Sequence, residues 1–236
     1  MQHGVLDCSC AVHFSPSIIV LHRCFGKYYR KKLNILSQGD NTNDDDMVNL
    51  LKKYLKEKYN KPGNVFVGLV HRLDRPVGGI MVFAKTSKAA SRLSEQVRNK
   101  TFKKTYKAVI HGDMKKREDN LSDYLYKDKK TNMVSVVNKN HKDAKDAKLS
   151  YKTLASNNGF SLVEIDLQTG RPHQIRVQFS SRNHPLYGDQ RYGKNVNKKG
   201  QQIALWSYKI EIEHPTKKEK MEFICEPPNK YPWNMF

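Results

Sequence analysis

The residues best placed to do chemistry stand in three short stretches. In VGLVHRLDRPVGG (67–79) an apolar run delivers one carboxylate, Asp74, between Arg72 and Arg75, with Pro76, Gly78 and Gly79 directly after it. A carboxylate in this place could attack an electrophile, accept a proton or stabilise a cationic centre. Neighbouring guanidiniums would keep it ionised and bind phosphate. Taken alone, an acid between two arginines reads equally well as a solvated ion pair. Its place where an apolar scaffold meets a loop favours function, and the glycines let a ligand or another backbone approach closely. The second stretch, TGRPHQIR (169–176), sets Arg171, His173, Gln174 and Arg176 within six positions, a pattern suited to phosphate or carboxylate recognition. The third is Tyr106 in KKTYKAVI (103–110). A strand tyrosine is ordinarily packing.

Composition narrows the partner. Among 236 residues, Lys and Arg number 43 and Asp and Glu 23, a formal net charge of +20. Such an excess points to a polyanion, with nucleic acid the default; a basic surface that only aids solubility is the plain alternative. Cys8, Cys10, Cys24 and Cys225 form no C-x-x-C pair, so a structural zinc site is not expected and the thiols read as reduced. No apolar run approaches the ~20 residues of a membrane span. Residues 1–32 carry one acid, Asp7, among several bases, which would suit an organellar transit peptide. SPSIIVL (15–21) within them reads equally well as a first strand, and the cytoplasm is the expected location.

Together, HRLDRPVGG, KTYKAVIHG, TGRPHQIR and HPLYGDQRYG stand in an order and at separations that resemble the RluA family of pseudouridine synthases. The resemblance runs from about residue 33 to 230 and is most specific over 64–112 and 161–193. It implies that Asp74 is the catalytic aspartate, that Tyr106 packs against the target base and that Arg176 pairs with the aspartate. Arg72, Arg75, Arg171, His173 and Gln174 would contact RNA, ribosomal or transfer. The implied fold is α+β: a single catalytic domain with a mostly antiparallel sheet, flanking helices and a central basic cleft. No metal, cofactor, membrane or obligate protein partner is implied, and the protein is expected to be a monomer.

The chain departs from the family pattern at Val77 and Gly78, where Thr-Ser is usual, and at LHRCFGKYYRKKLN (21–34), which replaces a strand ending in Lys-Pro-x-Gly. There is no room for the small N-terminal RNA-binding domain of many relatives. Whether the aspartate attacks the sugar, attacks the base or assists deprotonation of the sugar stays open. Two other readings compete. One is a non-catalytic RNA-binding protein on the same fold. The other is a hydrolase using paired acids or a metal, disfavoured because Asp113 and Asp189 sit in separate turns and His184 with Asp189 has no familiar ligand spacing.

These residues need positioning elements. Residues 1–16 read as irregular and 17–236 as the catalytic domain. Apolar residues from Met47 to Tyr59 recur at helical spacing, with Asp44 to Asp46 as capping acids. VFVGLV (65–70) and GIMVFAK (79–85) read as strands around the Asp74 loop, and 86–100 as a helix opened by Thr86 and Ser87. A strand is expected over 101–113, exposed hairpins or loops over 113–150, and a strand over 161–170. RPHQIRVQFSS (171–181) is ambiguous, with Pro172 favouring a helix. Two strands should flank the HPTKK turn (214–218).

Overall fold

The computed structural model describes residues 12–23, 35–39, 44 and 46–236. They form an α+β protein, as the sequence predicts. Two compact units divide the chain: residues 1–103 with 207–226, and residues 104–206 with 227–236. The transit-peptide reading falls largely outside the described residues, as do Asp45 and the divergent turn at 24–34. Among the described residues no helix is long and apolar enough to cross a membrane.

The first unit is built around β4 (Gly78–Ala84), whose residues Ile80 to Ala84 are all fully buried. Covered on both faces, it carries a continuous apolar run in place of alternation. On it pair β2 (Ile18–Arg23) and β3 (Gly68–Leu69), both antiparallel. β1 (Val12–Phe14) extends β2, and β11 (Lys220–Ile224) pairs antiparallel with β10 (Leu205–Glu213), the neighbour of β4. Two expectations are corrected. Residues 12–14, read as irregular, are a strand. Only Gly68 and Leu69 of VFVGLV pair with β4, because its first residues line a surface depression instead.

Two helices complete this unit. α1 (Met47–Lys58) buries Leu51 and Leu55, and Asp46 is its N-cap, accepting the Asn49 backbone N–H at 3.1 Å, so the capping reading holds for that acid. α2 (Ser87–Arg98) starts at Thr86, whose hydroxyl accepts the Ala89 N–H at 3.1 Å. Its Gln96 amide exchanges two hydrogen bonds with the Glu213 backbone, at 2.8 and 3.0 Å, tying the helix to the end of β10.

The glycine after Gly78 is required by a backbone approach. Gly79 has φ +108°, and a Cβ there would stand 2.2 Å from the Ser207 carbonyl oxygen. We expect Gly79→Ala to lose about 2–6 kcal/mol, combining left-handed strain with overpacking. Urea denaturation measures it, and a loss under about 1 kcal/mol would contradict this account of the glycine.

The second unit is an antiparallel sheet in the order β5 (Lys103–His111), β9 (Phe160–Leu167), β8 (Lys145–Asn157), β6 (Glu118–Lys127), β7 (Val134–Val137). Residues 113–150, expected as exposed hairpins or loops with a weak strand candidate around MVSVV, supply much of it: β7 falls on that candidate and pairs with β6 as a hairpin, while β6 and the start of β8 are longer strands than expected. One face of β6 and β8 carries Leu121, Leu125, Ala147, Leu149 and Tyr151, all buried, while charged residues alternate with them on the other. α3 (Gln174–Ser180) lies on that apolar face: Val177 packs with Leu125, Val134 and Ala147, and the Phe179 ring meets Tyr151 edge-on at 5.5 Å. The ambiguous segment is therefore a helix, although it begins two residues after Pro172.

Candidate active site

In the first unit the HRLD segment is locked on both sides of its acid. His71 is buried, and its Nε2 accepts the Val82 N–H of β4 at 3.0 Å while its ring lies 5.3 Å from Phe102. Leu73 is buried, and Ser37 brackets its backbone, accepting its N–H at 3.2 Å and donating to its carbonyl at 2.8 Å. The Val77 N–H then closes a turn on the Asp74 carbonyl at 2.9 Å. With both neighbours anchored, the half-buried Asp74 is presented from a fixed backbone. Pre-organisation of this kind is what a reacting carboxylate needs.

The flanking arginines differ. Arg72 is exposed and forms no hydrogen bond or ion pair among the described residues. Arg75 donates to Asp44 at 2.7 Å. With both side chains about two-fifths exposed, this surface pair contributes no more than about 1 kcal/mol. The bond gives Asp44 a tethering role beside the expected capping one.

In the second unit Arg176 is buried on α3. Its Nε and Nη2 donate to the two carboxylate oxygens of Asp189, each at 2.8 Å, and its guanidinium lies 5.1 Å over the Tyr192 ring. Asp189 also accepts the backbone N–H groups of Arg191 and Tyr192. Burial alone would raise the Asp189 carboxyl, but the hydrogen bonds and charge of Arg176 and those two amides outweigh it and hold the carboxyl below its ordinary value. A carboxylate depressed on folding contributes stability that is complete above the unfolded value, near ~4, and is lost as pH falls through the folded one. The stability gap between wild type and Asp189→Asn should therefore be full at neutral pH and shrink in acid below about 4. A gap that stays constant across that range in denaturation experiments would contradict the ion pair.

The other residues of TGRPHQIR divide by role. Gln174 is buried, and its amide is committed within the fold: Oε1 accepts from Thr169 and the Arg171 N–H, and Nε2 donates to the Lys148 carbonyl and Gln178. Its geometry is that of a residue shaping the turn that carries Arg171. Arg171 is half-buried, with Nε donating to the Asp146 carbonyl at 2.8 Å. His173 precedes α3 in the left-handed region, φ 52°, and its Nδ1 lies 2.7 Å from the Tyr192 hydroxyl. That hydroxyl accepts the Val134 N–H at 3.0 Å and burial pushes its titration up, so its proton is available to His173 Nδ1.

Tyr106 is buried in β5 opposite Ile165, which in turn faces Tyr151 of β8. This register puts Tyr106 on the sheet face that carries α3. Lys104, two residues earlier, shares that face. Burial holds its ammonium below the ordinary lysine value, and no hydrogen bond or ion pair engages it among the described residues. Its Nζ stands 3.5 Å from where a Cβ on Gly170 would lie.

Sequence reading missed three residues that hold Arg176, His173 and the loop beside them. Asp189 stood in a turn with no visible link to Arg176. Tyr192, seen only as part of a glycine-punctuated loop, supports both Arg176 and His173. Asn197 is buried and donates to the carbonyls of Leu186, Asp189 and Gly193 while accepting from the Gly188 N–H, closing the loop that carries Asp189. Nothing in local spacing marks a lone asparagine for that task. Among the described residues no group of three or more His, Cys, Asp or Glu is arranged to hold a metal.

Comparison with known proteins agrees with the motifs. A family model described as RNA pseudouridylate synthase matches residues 28–181. The uncharacterized RNA pseudouridine synthase YlyB of Bacillus subtilis is 34% identical over 179 residues, covering 75% of this chain and 57% of the relative. Ribosomal large subunit pseudouridine synthase D of Borreliella burgdorferi is 31% identical over 192 residues, covering 80% and 58%. The solved structure of human RNA pseudouridylate synthase domain containing 4 superposes with a TM-score of 0.71 over 92% of this chain and 87% of that one, at 19% identity, and shows a shared fold. The chain belongs to the RNA pseudouridylate synthase family, of the RluA type that its motifs resemble. It spans a little under three-fifths of the length of the curated relatives it matches.

Proposed function

We propose that this protein isomerises uridine to pseudouridine in ribosomal or transfer RNA, with Asp74 as the catalytic carboxylate. The observation that carries this reading is the intact HRLD segment, held by Ser37 and His71 so that the half-buried Asp74 is offered from a rigid turn. The reaction breaks the bond from the ribose C1′ to N1 of uracil, turns the detached ring, joins C5 to C1′, releases the C5 proton and leaves N1 carrying a proton in its place. Atoms balance without an oxidant or co-substrate. A fixed carboxylate serves it by attacking the sugar or the base, or by assisting loss of a sugar proton. Tyr106 is the ring that stacks on the uracil, and Arg176, locked by Asp189 and Tyr192, is the guanidinium of the site. The target must leave any helix to react, at a cost of a few kcal/mol.

Arg72, Arg75, Arg171, His173 and Lys104 are the groups proposed to meet the RNA backbone and the target nucleotide. Affinity for single-stranded RNA should then fall with salt, with a log–log slope of roughly −0.7 for each phosphate neutralised. Arg72→Ala should flatten that slope by less than one such unit and leave the rate at saturating RNA unchanged. Salt-independent affinity in a filter-binding titration would contradict phosphate recognition. The reaction is tested by tritium release from 5-tritiated uridine in RNA: release is expected, and RNA binding without release would favour the non-catalytic alternative.

A further inference from the structure

Two adjoining depressions lie on the first unit, formed by α1 and the chain that leads from it to β3. The first, about 160 Å³, is lined by Leu55, Tyr59, Lys61, Val65, Phe66 and Lys85. The second, about 410 Å³, shares Val65 and adds Lys52, Lys53, Lys56, Gly63 and Asn64. Tyr59 is 44% exposed and Phe66 47%, large for aromatic rings beside a cavity. Gly68 permits the Phe66 placement, since a Cβ there would stand 3.1 Å from the ring and 2.9 Å from Ala90.

Charge in this region is one-sided. Lys58 and Lys85 both lie over the Tyr59 ring, at 5.8 and 5.5 Å. The Lys85 ammonium is held below its ordinary value, first by burial and then by the nearby charges of Lys61 and Lys58. The side-chain ammonium groups of Lys52, Lys53, Lys56 and Lys61 form no hydrogen bond or ion pair among the described residues. Glu57 is the single acid of α1. Clustered cations repel one another, so the face is more favourable with an anion on it than without.

We propose that these depressions are a docking site for single-stranded RNA, separate from the HRLD segment. One unstacked base rests against Tyr59 and Phe66 in the first depression, and the adjoining phosphates lie on Lys52, Lys53 and Lys56 beside the second. Exposed rings interleaved with lysines match the alternation of base and phosphate, whereas an acidic protein would need the cations but not the rings. The site rests on the reading of the substrate as RNA and deepens it: recognition extends to nucleotides beyond the target.

The test uses the whole chain with a short oligouridylate and an abasic ribose-phosphate oligomer of equal length, read by fluorescence anisotropy. Tyr59→Ala/Phe66→Ala should bind oligouridylate about tenfold more weakly and the abasic oligomer as wild type does. Lys53→Glu/Lys56→Glu should weaken both and flatten the salt dependence. All four side chains are exposed, and an unchanged thermal midpoint confirms that the fold survives. The rate at saturating RNA should be unchanged in both variants. Wild-type affinity of the aromatic variant for oligouridylate would overturn the proposal, as would an equal loss on the abasic oligomer. If wild type binds RNA but isomerises none, the catalytic reading fails while these binding outcomes still decide the docking site.

Discussion

Asp74→Asn should abolish isomerisation while leaving RNA affinity within about twofold. The amide keeps the shape of the carboxylate and loses its charge and nucleophilicity, so we expect the rate to fall at least about a thousandfold, roughly 4 kcal/mol of barrier. The surroundings make the experiment clean. The backbone on either side is held by His71, Leu73 and Ser37, none of which depends on the Asp74 carboxylate for its bonds to β4 or to the 35–39 segment. A variant retaining activity within tenfold of wild type would remove Asp74 from the chemistry, whatever the motif resembles.

The second large effect concerns Arg176 and Asp189. Their side chains are 8% and 0% exposed, and two parallel hydrogen bonds join them. Removing either partner breaks this buried pair, at a cost of about 3–5 kcal/mol. Arg176→Ala and Asp189→Ala should each lose that much in urea denaturation. Removing both should lose less than the sum, because the same two hydrogen bonds are lost in each single variant. Arg176→Lys keeps the charge but cannot reproduce the planar fork, so it should recover only part of the stability. Strict additivity of the single losses would show that the pair is not coupled.

Where local chemistry decided structure, the sequence was readable. The α1 and α2 starts followed from Asp46 and Thr86, whose side chains do what such residues do at helix N-termini. Gly79 was read as a place of close approach, and the approaching group is the Ser207 backbone. β10 and β11 flank the HPTKK turn as their alternation suggests. The failures share one cause, which is that tertiary pairing overrode a weak local signal. Residues 113–150 looked like exposed hairpins or loops because charged and polar residues interrupt β6 and β8, Asp119 and Asp123 even on the face of Leu121, Leu125, Ala147 and Leu149, so the apolar alternation is masked. VFVGLV looked like a full strand because Val65 and Phe66 are apolar, yet these two line a surface depression.

The same division holds for the site. Asp74, Tyr106 and Arg176 stand out in the sequence as candidates because they sit in motifs with fixed spacing. Asp189, Tyr192 and Asn197 act on Arg176 and on its loop through contacts thirteen or more residues away, or through a loop closed on itself, and single-sequence spacing does not reveal such partners. Nor does spacing reveal that Gln174, which its place among arginines suggested as an RNA contact, is buried with four hydrogen bonds that shape the turn.

The most direct test of the central claim is a map of pseudouridines in total RNA incubated with the wild-type chain and with Asp74→Asn, read by chemical labelling that detects the isomer. Conversion of one or a few specific uridines by wild type and none by the variant is the predicted result. RNA that is bound by both proteins and converted by neither would contradict it.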